Sequence, residues 1–203
     1  MKIRNIKITV LSIAAAMMTT LGVQAQSHVE LSYQTALPLG ELSDAVGNFS
    51  GRGVGLEYQY LVDDELAIGL KLGWNVFQDV GPDNGLYETE SNGAALTIRG
   101  KRYHYVNAIP IMANVTYYFG TDDLDIRPLF SLGVGGMVIE ERVDIGLFTS
   151  TERNFHFGLS PKIGVDIPAG SVSLVPSVTY NFAPPSKDSI TYQYIGFNLG
   201  IKF

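Results

Sequence analysis

His28, His104 and His156 are the three imidazoles of the chain, and cysteine is absent. Acid–base or nucleophilic chemistry would centre on His156, which has Ser160 four residues on and Glu140, Glu141 and Asp144 shortly before it. A triad needs base, nucleophile and orienting acid within hydrogen-bond reach of one another. Asn154-Phe155-His156-Phe157-Gly158 matches no hydrolase motif, so the chain reads as non-enzymatic and His156 as a polar interior group. Scattered histidines without thiols give no metal-ligand spacing, and no cofactor is expected. A second set of ionisable residues is better ordered. Glu30, Glu57, Lys71, Arg127, Lys162, Asp166 and Lys202 each stand on the polar side of a segment whose other side is apolar. Residues that alternate in this way lie on opposite faces of a β-strand. Seven charges of both signs on one face predict a network of ion pairs.

The elements that carry them are eight period-two segments. They run over about 28–36, 53–62, 65–77, 105–119, 125–140, 154–168 and 171–182, and end with the C-terminal strand. In the last, Ile195, Phe197, Leu199, Ile201 and Phe203 alternate with Gly196, Asn198, Gly200 and Lys202. No clear helical pattern lies between the segments. Short turns at Asp63-Asp64, Gly120–Leu124 and Ala169-Gly170 alternate with longer connections at 37–52, 78–104, 141–153 and 183–190. In the longest connection, acids (Asp79, Asp83, Glu88, Glu90) precede bases (Arg99, Lys101, Arg102), and Leu96–Tyr105 is expected to extend the fourth strand beyond the membrane as a protruding hairpin arm. Alternating short turns and long loops are characteristic of membrane barrels.

The N-terminus is read as an address. Lys2, Arg4 and Lys7 precede an apolar stretch to about Val23, and Val23-Gln24-Ala25 is a small-x-small cleavage signal. Residues 1–25 are therefore expected to be a removed signal peptide, leaving 26–203 as one domain. Its removal takes three basic side chains and moves the net charge from −6 to −9. So acidic a chain gives no support to nucleic-acid binding.

Alternation alone does not say which face points outward, and a soluble lipocalin-like barrel shares the period. Were the polar face in water, the exterior would be mostly Gly, Ser, Asn and Thr with few charges, which is poor for solubility. The large aromatics would then crowd a lumen that holds ordinary side chains and little more. Lipid outside and charges inside resolves both conflicts. Tyr58, Tyr60, Tyr117, Phe119 and Phe203 then fall at one interface, and Trp74, Phe155, Phe157, Tyr180 and Phe182 at the other. Pro110, Pro128, Pro161 and Pro176 lie inside the segments, where bulges or local breaks are expected.

The chain resembles the small eight-stranded outer-membrane barrels of the OmpA/OmpX type. The likeness spans the mature chain and rests on the leader, eight strands, terminal Phe203 and phrases such as Ile109-Pro110-Ile111-Met112-Ala113-Asn114-Val115 and Ser160-Pro161-Lys162-Ile163-Gly164-Val165-Asp166. It implies an all-β, closed, antiparallel up-and-down barrel in the outer membrane, inserted by the barrel-assembly machinery with Phe203 in the recognition signal. Contact with membrane lipid and lipopolysaccharide, and a monomer, are the expected associations. The expected role is structural or surface interaction with the lumen plugged by its charges. A narrow channel for small solutes and a lipid-modifying enzyme are the alternatives.

Overall fold

The computed structural model describes residues 27–47, 49–91, 94–120, 126–186 and 189–203. The expected leader (1–25), most of the turn at Gly120–Leu124 and the side chains of Glu88 and Glu90 lie outside the described residues. Eight strands close into one antiparallel barrel: β1 (Ser27–Leu39), β2 (Gly53–Leu61), β3 (Leu66–Val80), β6 (Arg102–Tyr118), β7 (Arg127–Ile145), β8 (Phe148–Ala169), β9 (Val172–Ala183) and β10 (Tyr192–Lys202). Each pairs with its neighbours in the ring, and β1 closes on β10. Pairing followed round the ring from Val29 passes through Tyr58, Leu70, Ala113, Val134, Leu159, Phe182 and Gln193 and returns to β1 at Leu39. That offset of about ten residues over eight strands sets a strand tilt of roughly 40°.

The period-two pattern is realised as two faces. Leu70 and Ile163 are 61% exposed on the outside, whereas their neighbours Lys71 and Lys162 are buried within. Trp74, Phe155, Phe157 and Tyr180 are exposed towards the end bearing the long loops, and Tyr58, Tyr60, Tyr117, Phe119 and Phe203 towards the end bearing the termini. Gly136 shares the outer face with Leu132 and Val134, and the Phe155 ring fills the space a Cβ would take there.

The four strand prolines produce no bulge. Pairing runs Leu72↔Ile111 then Asn75↔Ala108 past Pro110, and Leu159↔Phe182 then Lys162↔Thr179 past Pro161, with the same register on either side. The cause is the side to which each missing N–H points. Phe119 N–H donates to Pro128 carbonyl, so even residues of β7 bond to β6. Alternation then aims Pro110 at β3, and Pro161 and Pro176 at each other's strands, where the ladders skip. Each proline removes one bond without shifting its strand.

Two elements differ from expectation. The 37–52 connection contains a helix, α1 (Gly40–Val46), entered through Gly40 at φ 52°. Seven residues make a helix too short to persist alone; Leu42 and Val46, one turn apart, anchor it in the barrel mouth with no exposed surface. Glu41 carboxylate also accepts from Thr191 N–H at 2.6 Å, which holds that carboxyl below its ordinary pKa. In the longest connection, β4 (Gly85–Ser91) pairs with β5 (Ala94–Gly100) as a separate hairpin. The fourth barrel strand is prolonged only from Arg102.

Candidate functional site: the charged lumen

Cross-strand register assembles the charges. Glu30 on β1 stands between Glu57 on β2 and Lys202 on β10, and Glu57 stands opposite Lys71 on β3. Two carboxylates side by side repel unless a cation joins them. Lys162 supplies it from β8, across the ring: its Nζ is 2.7 Å from Glu57 Oε2 and 3.5 Å from Glu30 Oε2. Glu57 also accepts from Gln59 at 2.5 Å and Asn114 at 2.6 Å. Lys71 lies 3.4 Å from Ser160 Oγ, which donates to Asn181 at 2.9 Å. Lys202 pairs with Asp166 and lies 5.0 Å from the Tyr118 ring centroid.

Six of the seven expected charges are thus buried inside the barrel and bonded to one another or to amides and hydroxyls. Arg127 stands apart. It is half-buried at the terminal end, lying over the Tyr118 ring at 5.2 Å and donating to the Asp64 carbonyl. Asp166, its partner in register, is taken by Lys202. The free space among Glu30, Glu57, Lys71, Lys162 and their neighbours is about 10 Å³, room for a single water.

Apolar layers lie on both sides of this belt. Towards the termini are Ala67, Tyr118, Leu129 and Val175. Towards the long loops, Phe77, Val106, Met112, Met137, Ile139 and Tyr194 pack beneath Leu42 and Val46 of α1. Phe77 and Tyr194 meet edge-to-face at 5.2 Å. The charged belt is therefore confined to the middle of the interior, between two largely apolar layers. The signal was present in the alternation, which puts Phe77, Val106, Met137 and Ile139 on the same face as the charges.

His156 and Ser160 do not meet. His156 Nδ1 is 3.0 Å from the Pro184 carbonyl, its ring abuts Tyr192, and its buried Nε2 has no partner. Glu141 joins this rim cluster, accepting from Tyr192 hydroxyl with His104 Nε2 3.6 Å away. His104 and Tyr192 hold the Glu141 carboxyl below its ordinary pKa against the opposing effect of burial. Ser160 has Lys71 and Asn181 as partners, and neither serves as an imidazole base. Among the described residues no group of three or more His, Cys, Asp or Glu could hold a metal ion. Phe203 is exposed, and its backbone is bonded in both directions to Val29.

Among solved structures, Neisserial surface protein A superposes with a TM-score of 0.58 at 15% identity, over 88% of this chain and 96% of that one. Ail, the attachment invasion locus protein of Yersinia pestis, gives 0.52 at 9%, over 89% and 100%. The fold is that of a small outer-membrane barrel. Outer Membrane Protein W of E. coli gives 0.50 at 13%, over 90% and 99%. No protein-family model and no curated protein matches the chain. Identities this low speak to the fold alone.

Proposed function

We propose that this chain is exported, loses residues 1–25, and resides as a monomeric barrel in the outer membrane, where it acts as a closed structural and surface-interaction protein rather than as an enzyme. The observation that carries the closed lumen is Lys162 bridging Glu57 and Glu30 in a space of about 10 Å³, between two apolar layers. Ion pairs this buried are costly to separate, so the belt acts as a plug. The exposed apolar outer face and its two aromatic rims support residence in a bilayer. Both termini then face the periplasm, and the long loops face outward towards lipopolysaccharide. Phe203, at the end of the closing strand, is assigned to the assembly machinery's recognition signal; its deletion is expected to lower the yield of assembled barrel in cells.

Planar-bilayer recording on the purified full chain tests the plug. No steady single-channel openings are expected. Openings that persist, and that grow when Lys162 is replaced, would replace the plug with a gated pore.

A further inference from the structure

The barrel strands are unequal in a way that closure does not require. β8 has 22 residues and β7 has 19, but β9 has only 12. Pairing of β8 with β9 begins at Leu159↔Phe182, and β9 ends at Ala183, before Pro184-Pro185. Pairing of β8 with β7 continues to Ile145↔Phe148. The outer part of β8 therefore forms one edge of a sheet that rises above the rim, with no strand beside it among the described residues.

The alternation that located the proline gaps also tells which groups this edge presents. Odd residues of β8 bond towards β9, as Pro161 shows by its missing bond. The backbone N–H and C=O of Thr149, Thr151, Arg153 and Phe155 thus point away from β7. Such a row of groups is a template for another strand.

The side chains add a sign. Arg153 pairs with Glu140, and Arg142 with Asp144. Glu152 is exposed and has no ion-pair partner among the described residues, and in register it stands opposite Glu141. Like charges directly opposite each other are unfavourable, and a cation on the next strand would relieve them. A second copy fits this edge less well: antiparallel pairing of equivalent edges would turn one barrel over in the membrane, and parallel pairing forms only the less stable, slanted ladder.

We infer that the outer edge of β8, Thr149–Phe155, docks an extended segment of another polypeptide that carries Lys or Arg at alternate positions, its backbone pairing with β8 and a basic side chain facing Glu152. This rests on the outer-surface placement proposed above.

The test uses the full chain in lipid nanodiscs and three labelled ten-residue peptides: alternating Thr-Lys, alternating Thr-Glu, and Thr-Lys with alternate backbone nitrogens methylated. Thr-Lys is expected to bind, with the other two at least about tenfold weaker. Thr151→Pro removes one edge N–H without touching the β7 ladder, and is expected to weaken Thr-Lys about tenfold. Glu152→Lys is expected to reverse the preference between the acidic and basic peptides. Equal binding of the methylated and unmethylated peptides to the unaltered chain would overturn the inference, even if the proline variant failed to fold. So would unchanged binding in a folded Thr151→Pro. Placement is tested separately: Thr151→Cys should react with an impermeant maleimide on intact cells, and absence of labelling would overturn the outer-surface placement while leaving the peptide result standing.

Discussion

Replacing Lys162 with methionine keeps an unbranched side chain one atom shorter and removes its charge. Lys162 is 3% exposed and is the cation that joins Glu57 to Glu30. Without it, two adjacent carboxylates share the belt with Lys71 as the near cation, and the local balance of two acids and two bases becomes two against one. Removing one partner of a buried pair typically costs about 3–5 kcal/mol, because the group left behind stays buried and charged. The variant should lose that much stability in urea titrations of the folded barrel in lipid vesicles, followed by heat-modifiable gel mobility. Combining Lys162→Met with Glu57→Gln removes one charge of each sign and keeps an acceptor for Gln59 and Asn114. The double variant should recover at least about 2 kcal/mol of the loss. A single variant within about 1 kcal/mol of the unaltered chain, or a double variant no better than the single one, would refute the reasoning that this cation holds the belt together.

Three further outcomes follow from other parts of the barrel. Leu42→Ala in α1 should cost about 2–4 kcal/mol at most, and should raise hydrogen exchange in residues 40–46 before it affects the belt; unchanged exchange there would show that α1 is not held by its apolar face. Pro161→Ala should restore a ladder bond between β8 and β9 and add about 0.5–1.5 kcal/mol in the same urea titration; a loss of stability would contradict the assigned direction of that missing N–H. At the rim, the folded Glu141 carboxyl lies below its ordinary value of 4.5. Its contribution is therefore complete above that pH and lost as pH falls through the lower folded value. Hydrogen exchange near Tyr192 should rise only under acid conditions, and Glu141→Gln should abolish that rise; a rise near neutral pH would contradict it.

Strand number, facing and the burial of six charges were legible because a strand has a strict period of two. A register error would have put Lys71 or Lys162 in lipid, so the pattern tolerated one solution. Arg127 escaped this logic because alternation sets only its face, whereas its long side chain lies over Tyr118 at the terminal end and extends to the Asp64 carbonyl. The helix α1 was hidden because Leu42 and Val46 form a two-residue pattern that means nothing until Phe77, Met137 and Ile139 lie beneath it. Which acid met which base was also beyond the sequence. Glu57 and Lys162 are 105 residues apart and face each other only once the ring closes.

Trp74 is the sole tryptophan, half-exposed on the outer face with its indole N–H bonded to Asn107 at 3.2 Å. Its emission in vesicles of brominated phospholipid therefore reports directly whether hydrocarbon or water covers that face. A barrel with its apolar side to lipid gives strong quenching by bromine near the headgroup end of the acyl chains and little by aqueous iodide. Strong iodide quenching with no effect of bromine would place the face in water and contradict the membrane barrel.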